Sequence, residues 1–198
     1  PIAARLAPGE TLGDRVLRVD HAGEHGAVCV YRAQRRLARW TAPGLLAEIE
    51  AFIAHEMRHR ALFAADSALP QLALCAALGT LLGTITGLLG CHAIAATTVA
   101  IERVVLRHMA AQIAALGSSD PAAVAILLDI VEEEQEHHDR SAAHLRGGLL
   151  QRVLDVGVGI ATEAVIWIGM LAGPGQGPSE TRDEYRNLRK YVVYVFLT

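Results

Sequence analysis

A Glu followed 32 residues later by Glu-x-x-His occurs twice in this chain, the second copy displaced from the first by 78 positions throughout. Glu24, Glu56 and His59 make the first set; Glu102, Glu134 and His137 make the second. Three-residue spacing puts the Glu and His of each pair on one helix face. The longer gap suits two antiparallel helices and a short turn: about 14 residues carry the chain roughly 20 Å out, and as many bring it back. Each half therefore delivers two carboxylates and one imidazole to one level of a helical bundle.

Four Glu and two His are the ligand set of ferritin-like di-metal carboxylate bundles. Oxygen and imidazole donors without a thiolate suit iron or manganese better than zinc, and six ligands exceed one tetrahedral ion. Two divalent ions would neutralise four carboxylates, whereas an empty set would crowd like charges and raise some of their pKa values. A single Glu-x-x-His is common on solvated faces, but here matched upstream Glu residues sit among small and apolar neighbours, "AGEHGA" and "VAIER". The neighbouring Glu132, Glu133, Glu136, His138 and Asp139 read as solvated or as supports behind the ligands. Asp20, one helical turn before Glu24, reads either as an orienting partner for a ligand imidazole or as a surface acid. His21, His25, His55 and His144 read as structural or exposed. Arg32, Arg35, Arg36 and Arg39 line one side of their helix, as a solvated face or a membrane-facing one would.

Breaks in the pattern predict helices from about Thr11 to Trp40, Leu45 to Ala68, and up to Leu116. "GSSDP" then supplies an Asp cap and an N1 proline for a helix reaching about Leu145, and an apolar helix follows from Leu149 to Leu171. Strand-like alternation is scarce, apart from the closing "KYVVYVFL". The expected fold is all-α: a ferritin-like four-helix bundle with a pseudo-two-fold repeat, an apolar crossover helix and an additional C-terminal helix. Residues 1–172 form the expected domain, and 173–198 a linker and tail.

Residues 72–101 carry no charged group, and Gly79, Gly83, Gly87 and Gly90 form a small-residue stripe that permits close helix approach. About 20 helical residues cover roughly 30 Å, the length of a bundle or of a bilayer. A true span would separate the two halves, so the expectation is a crossover whose outer face dips into the membrane. The net charge of −3 gives no reason to expect nucleic acid. Cys29, Cys75 and Cys91, without C-x-x-C spacing, read as buried thiols of a reducing compartment. "PIAARLAPGETLGD" has no apolar core, so no secretory signal is expected in it.

"RVDHAGEHGAVCVYRAQ", "TVAIE" and "EEEQEHHD" resemble the demethoxyubiquinone hydroxylase family, the di-iron monooxygenases of ubiquinone biosynthesis. The resemblance runs from about Leu17 to Met170 and includes all six ligand positions in order. It implies two iron ions, with Glu56 and Glu134 bridging, Glu24 and Glu102 terminal, and His59 and His137 each giving one nitrogen. It also implies O2-dependent hydroxylation of the ring of a demethoxy-polyprenyl-benzoquinol by a peripheral or monotopic protein. That protein would sit on the cytoplasmic face of the cell membrane, or on the matrix face of the inner mitochondrial membrane in a eukaryote. The reaction calls for an electron donor such as NADH or a reductase, and for contact with membrane lipids. A homo-oligomer or a lipid-presenting partner protein is compatible with it. The chain departs from the family pattern at Arg103, where a second acid is usual, and at Met109, where a tyrosine is. Two other readings stay open on the residues alone: a ferritin-like protein that oxidises and stores iron or reduces peroxide, and a non-catalytic quinone carrier.

Overall fold

The computed structural model describes residues 2–63 and 69–172. The predicted tail at 173–198, its "KYVVYVFL" run, and the predicted end of the second helix near Ala68 lie outside the described residues.

Helix α1 spans Leu12–Thr41. Its first turn is closed by a capping box: the Thr11 hydroxyl accepts from the Asp14 amide at 3.1 Å, and the Asp14 carboxylate accepts from the Thr11 amide at 2.9 Å. A short 3-10 turn at Pro43–Leu45 reverses the chain into α2, Leu46–Phe63. Helix α3, Leu69–Leu89, is followed at once by α4, Cys91–Leu116. The hinge between them is Gly90 at φ 85, a left-handed conformation that a side chain would strain. Asp120 caps α5, Pro121–Ala142, by accepting from the Ala123 amide, with the proline in the first turn as predicted. This helix stops three residues short of the expected end. His144 and Leu145 instead make tighter bonds to the carbonyls three residues back. Helix α6, Leu149–Leu171, completes the described residues.

Helices α1 and α6 fall at the predicted boundaries, as do the start of α2 and the end of α4, and no strand occurs among the described residues. Helices α1 and α2 pair, as do α4 and α5; α3 then packs on α1, and α6 on α4. The repeat thus embraces three helices rather than two, since the shift of 78 carries α3 onto residues 147–167, most of α6. The helix read from the sequence as a crossover and the one read as an addition are counterparts.

The glycine stripe explains how α3 lies against α1. A Cβ on Gly79 would strike the carbonyl oxygen of Gly26, and one on Gly83 that of Val30. The opposite face of α3 leaves Leu78, Leu81, Ile85 and Leu88 exposed. Residues Gln71–Leu89 and Leu149–Leu171 are long and apolar enough to cross a membrane by length and composition. Buried Arg15 ties the start of α1 to the end of α6, donating to the Gly169 and Ala172 carbonyls while paired with Glu10.

Two apolar cores lie at different heights. One gathers Val16, Val19, Phe63, Met109, Leu127 and Ile130; the other gathers Val30, Tyr31, Ile49, Phe52 and Ile94. Along α1, α2 and α4, the predicted ligand positions fall between the residues of the two cores. This is where a polar layer can be walled off from water above and below.

Candidate metal centre

In that layer the four helices bring all six predicted residues together. Glu24 comes from α1, Glu56 and His59 from α2, Glu102 from α4, and Glu134 and His137 from α5. All six are buried, and the two imidazoles have no exposed surface. They form two overlapping groups, each able to hold a metal ion: Glu24, Glu56, His59 and Glu134 on one side, and Glu56, Glu102, Glu134 and His137 on the other. Within each group one ligand atom per residue lies within 4.8 Å of all the others. Glu56 and Glu134 belong to both, so the two Glu residues of the Glu-x-x-His pairs stand on the shared central line.

The imidazoles turn their Nδ1 atoms inward. His59 Nδ1 is 2.7 Å from Glu134 Oε1, and His137 Nδ1 is 3.3 Å from Glu56 Oε1. Neither nitrogen has an aligned hydrogen-bond partner; nor have both Glu56 oxygens and Glu134 Oε1. Buried polar atoms are ordinarily paired. A convergent set of unpaired carboxylate oxygens and imidazole nitrogens is what a cation site presents, and this donor set fits two divalent ions of the iron or manganese kind.

The electrostatics point the same way. Burial pushes the carboxyls of Glu24, Glu56 and Glu102 well above the usual range, and the neighbouring carboxylates push them further. Burial also raises Glu134, but the adjoining imidazoles of His137 and His59 and the Glu102 carboxyl outweigh it and hold Glu134 low. Burial works against the charged form of His59, yet contact with Glu134 raises its pKa overall. On its own side chains alone the layer therefore holds protons on several carboxyls, and a bound cation would replace those protons.

An outer ring of side chains holds these groups in place. Tyr31, wholly buried, donates its hydroxyl hydrogen bond to Glu102 Oε1 at 2.8 Å. Phe52 lies against His137 with ring centroids 4.3 Å apart. Glu133 Oε2 stands 2.9 Å from His59 Nε2, and its other oxygen pairs with Arg58 at 2.7 Å. His55 Nδ1 stands 3.0 Å from His137 Nε2. Glu133 thus stands behind the His59 imidazole. His55, read as structural or exposed, reaches the other imidazole. Tyr31 was open to detection, because it lies seven residues after Glu24 on the same helix face; His55 carried no such signal.

Asp20 orients no imidazole. It accepts from Gln112 of α4 at 3.0 Å, and burial pushes its carboxyl up to about 7. Arg103 pairs with Asp155 of α6, while Arg107 and His108 both reach Glu163 at 2.8 and 2.9 Å. Met109 is buried in the core beneath the layer. Arg32, Arg35 and Arg39 of α1 make surface contacts, among them Arg35 with Glu50. The three cysteines are free, Cys75 buried and the others partly so.

A two-fold-related helical bundle with Glu and Glu-x-x-His from alternating helices defines the ferritin-like class of carboxylate metal proteins. Within that class the chain belongs to the family described as Ubiquinone biosynthesis protein COQ7, whose model matches residues 11–169. Among its relatives is the mouse NADPH-dependent 3-demethoxyubiquinone 3-hydroxylase, mitochondrial, 33% identical over 75% of this chain and 74% of the mouse protein. The human protein of that name is 35% identical over 66% of this chain and 64% of its own length. A Rhodospirillum rubrum 3-demethoxyubiquinol 3-hydroxylase is 36% identical over 78% of this chain and 76% of its own.

Proposed function

We propose that the chain is a di-iron monooxygenase that hydroxylates the ring of a demethoxy-polyprenyl-benzoquinol with O2, the 3-demethoxyubiquinol 3-hydroxylase step of ubiquinone biosynthesis. The observation that carries this is the pair of four-residue groups sharing Glu56 and Glu134, in a chain whose relatives are named for that hydroxylation. Residues 1–172 are the catalytic unit in this reading.

Glu24, Glu56, His59, Glu102, Glu134 and His137 would hold the two ions, with Glu56 and Glu134 belonging to both groups. His59 and His137 would offer Nδ1, the nitrogens that face the carboxylates. When bound, the iron pair supplies the electrons and the oxidising power for O2 chemistry. The chain's own part is positional. Tyr31 fixes the rotation of the Glu102 carboxylate, Glu133 and Arg58 fix the His59 ring, and the apolar cores above and below keep bulk water from the layer. An electron donor, NADH or a reductase, completes the cycle. The apolar face of α3, with Leu78, Leu81, Ile85 and Leu88 outward, supports docking on a membrane surface from which the polyprenyl substrate enters.

The test is aerobic conversion of a demethoxyquinol, supplied in phospholipid vesicles, by iron-loaded protein with a reductant. Hydroxylated product from the wild type and none from Glu134→Ala is the expected result. Uptake of Fe(II) into a retained mineral core with no hydroxylation would replace this reading with iron storage.

A further inference from the structure

The six ligands repeat with an offset of 78, and so do the positions behind them. His55 and Glu133 occupy equivalent places, each immediately before a shared Glu. Each reaches across to the imidazole of the other repeat: Glu133 Oε2 to His59 Nε2 at 2.9 Å, His55 Nδ1 to His137 Nε2 at 3.0 Å. The backbone geometry is symmetric and the chemistry is not. One ligand imidazole is backed by a carboxylate, itself held by Arg58 at 2.7 Å, and the other by a second imidazole. The two rings of the His55–His137 pair lie 13° from parallel with centroids 5.2 Å apart. That separation belongs to rings joined edge to edge by an N–H···N bond and is too long for face-to-face contact. Glu133 does not compete for this nitrogen, since its nearer oxygen is 3.6 Å from His55 Nδ1 and is engaged by His59.

The proton assignment follows from these contacts. His137 Nδ1 faces Glu56 and Glu134 and must be free of a proton to bind a cation. Its proton therefore sits on Nε2 and is donated to His55 Nδ1, and His55 carries its own proton on Nε2. A carboxylate accepting from a ligand imidazole makes that imidazole a stronger donor to a metal than a neutral acceptor does. A second pair of equivalent positions pushes the same way: Tyr31 donates to Glu102 and draws charge from it, whereas its counterpart at the same offset, Met109, has no hydroxyl to offer Glu24.

We propose that His55 is the positioning residue for the ion held by His137, and that the exchange of carboxylate for imidazole at this repeated position makes the two metal positions unequal. The ion on His59 is the tighter one. This rests on the two-ion reading given above.

Anaerobic titration of the metal-stripped full chain with Co(II), followed by its absorption bands, tests it. The wild type should take up two ions in two resolved steps, and His137→Gln should abolish the looser one. His55→Phe, which keeps a ring but no acceptor, should weaken that looser step by about 10- to 100-fold and leave the tighter step alone. His55→Gln restores an acceptor and should recover most of the loss. Glu133→Gln should weaken the tighter step instead. Thermal melts of each stripped variant report whether it folds, and His55→Gln with Glu133→Gln decides the matter if His55→Phe does not. Two ions bound with indistinguishable affinity, or both outer variants weakening the same step, would overturn the inference while leaving the two-ion reading intact. A wild type that binds fewer than two ions overturns both.

Discussion

Replacing Asp20 with Asn is expected to stabilise the protein above neutral pH and to do nothing in acid. Asp20 lies on α1 with one carboxylate oxygen bonded to Gln112 and the other, Oδ2, buried without a partner. Burial raises the carboxyl from 3.8 to about 7. The sign follows directly. Below about pH 3 the group is protonated both folded and unfolded, and the folded state loses nothing. Between there and pH 7 the unfolded chain releases the proton first, so stability falls as pH rises, and the loss is complete above pH 7. Raising a pKa by one corresponds to about 1.4 kcal/mol, and Asp20 keeps a little exposure, so the full effect is on the order of 2–4 kcal/mol. Asn removes the titration, keeps the acceptor for Gln112, and offers its amide towards Gln112 Oε1, which is also buried and unpaired. Thermal melts of metal-stripped wild type and D20N at matched pH cancel the other titrations. At pH 7.5 the variant should melt roughly 5–15 °C higher, using about 2–4 °C per kcal/mol for a chain of this size; at about pH 3 the two should coincide. A D20N chain that is destabilised by the same amount at every pH would show that Asp20 is held by a charge interaction absent from this account.

Two further predictions concern the ligand layer and the packing of α3. Glu24, Glu56 and Glu102 have raised pKa values, so the stability they contribute to the stripped chain is present in acid and is lost as pH rises. The melting-temperature gap between metal-loaded and stripped protein should therefore widen from pH 5 to 8; a gap that narrows would refute the assignment of those protons. Gly83→Ala should cost about 1–3 kcal/mol in urea unfolding, because its Cβ would meet the Val30 carbonyl and Ala33. Gly157→Ala, in a helix with open space around the new methyl, should gain about 0.5–1 kcal/mol. Equal effects at the two positions would show that α3 does not lie that close to α1.

The helices and the inner layer were readable because each rule involved is local or strictly periodic. Asp120 with Pro121 is a short-range cap, and it stands where it was expected. Carboxylates are costly to bury singly, so four of them with two imidazoles at one repeated offset are hard to explain except as a cluster. Residues whose role depends on a partner from another helix were the ones misread or missed. Asp20 owes its state to Gln112, which lies 92 positions away. Tyr31 meets Glu102 across 71 positions. Nothing local to either residue announces the other, and burial decides what both do.

Helix α6 belongs to the repeat as well. The offset that pairs Glu24 with Glu102 also pairs α3 with α6, His55 with Glu133, and Tyr31 with Met109. The inner positions match in residue type, as the proposed two-ion site would require. The outer positions share a location and differ in chemistry. A duplicated bundle constrains its metal ligands in both halves alike, because losing any one leaves buried carboxylates uncompensated. It constrains the supports behind them far less, since an imidazole, a carboxylate or a phenol can each hold a ligand in place while changing how strongly it binds. Departures from the repeat therefore mark the places where one half of the layer differs in chemistry from the other, and the supports behind His59 and His137, Glu133 and His55, are two of them, 3.6 Å apart.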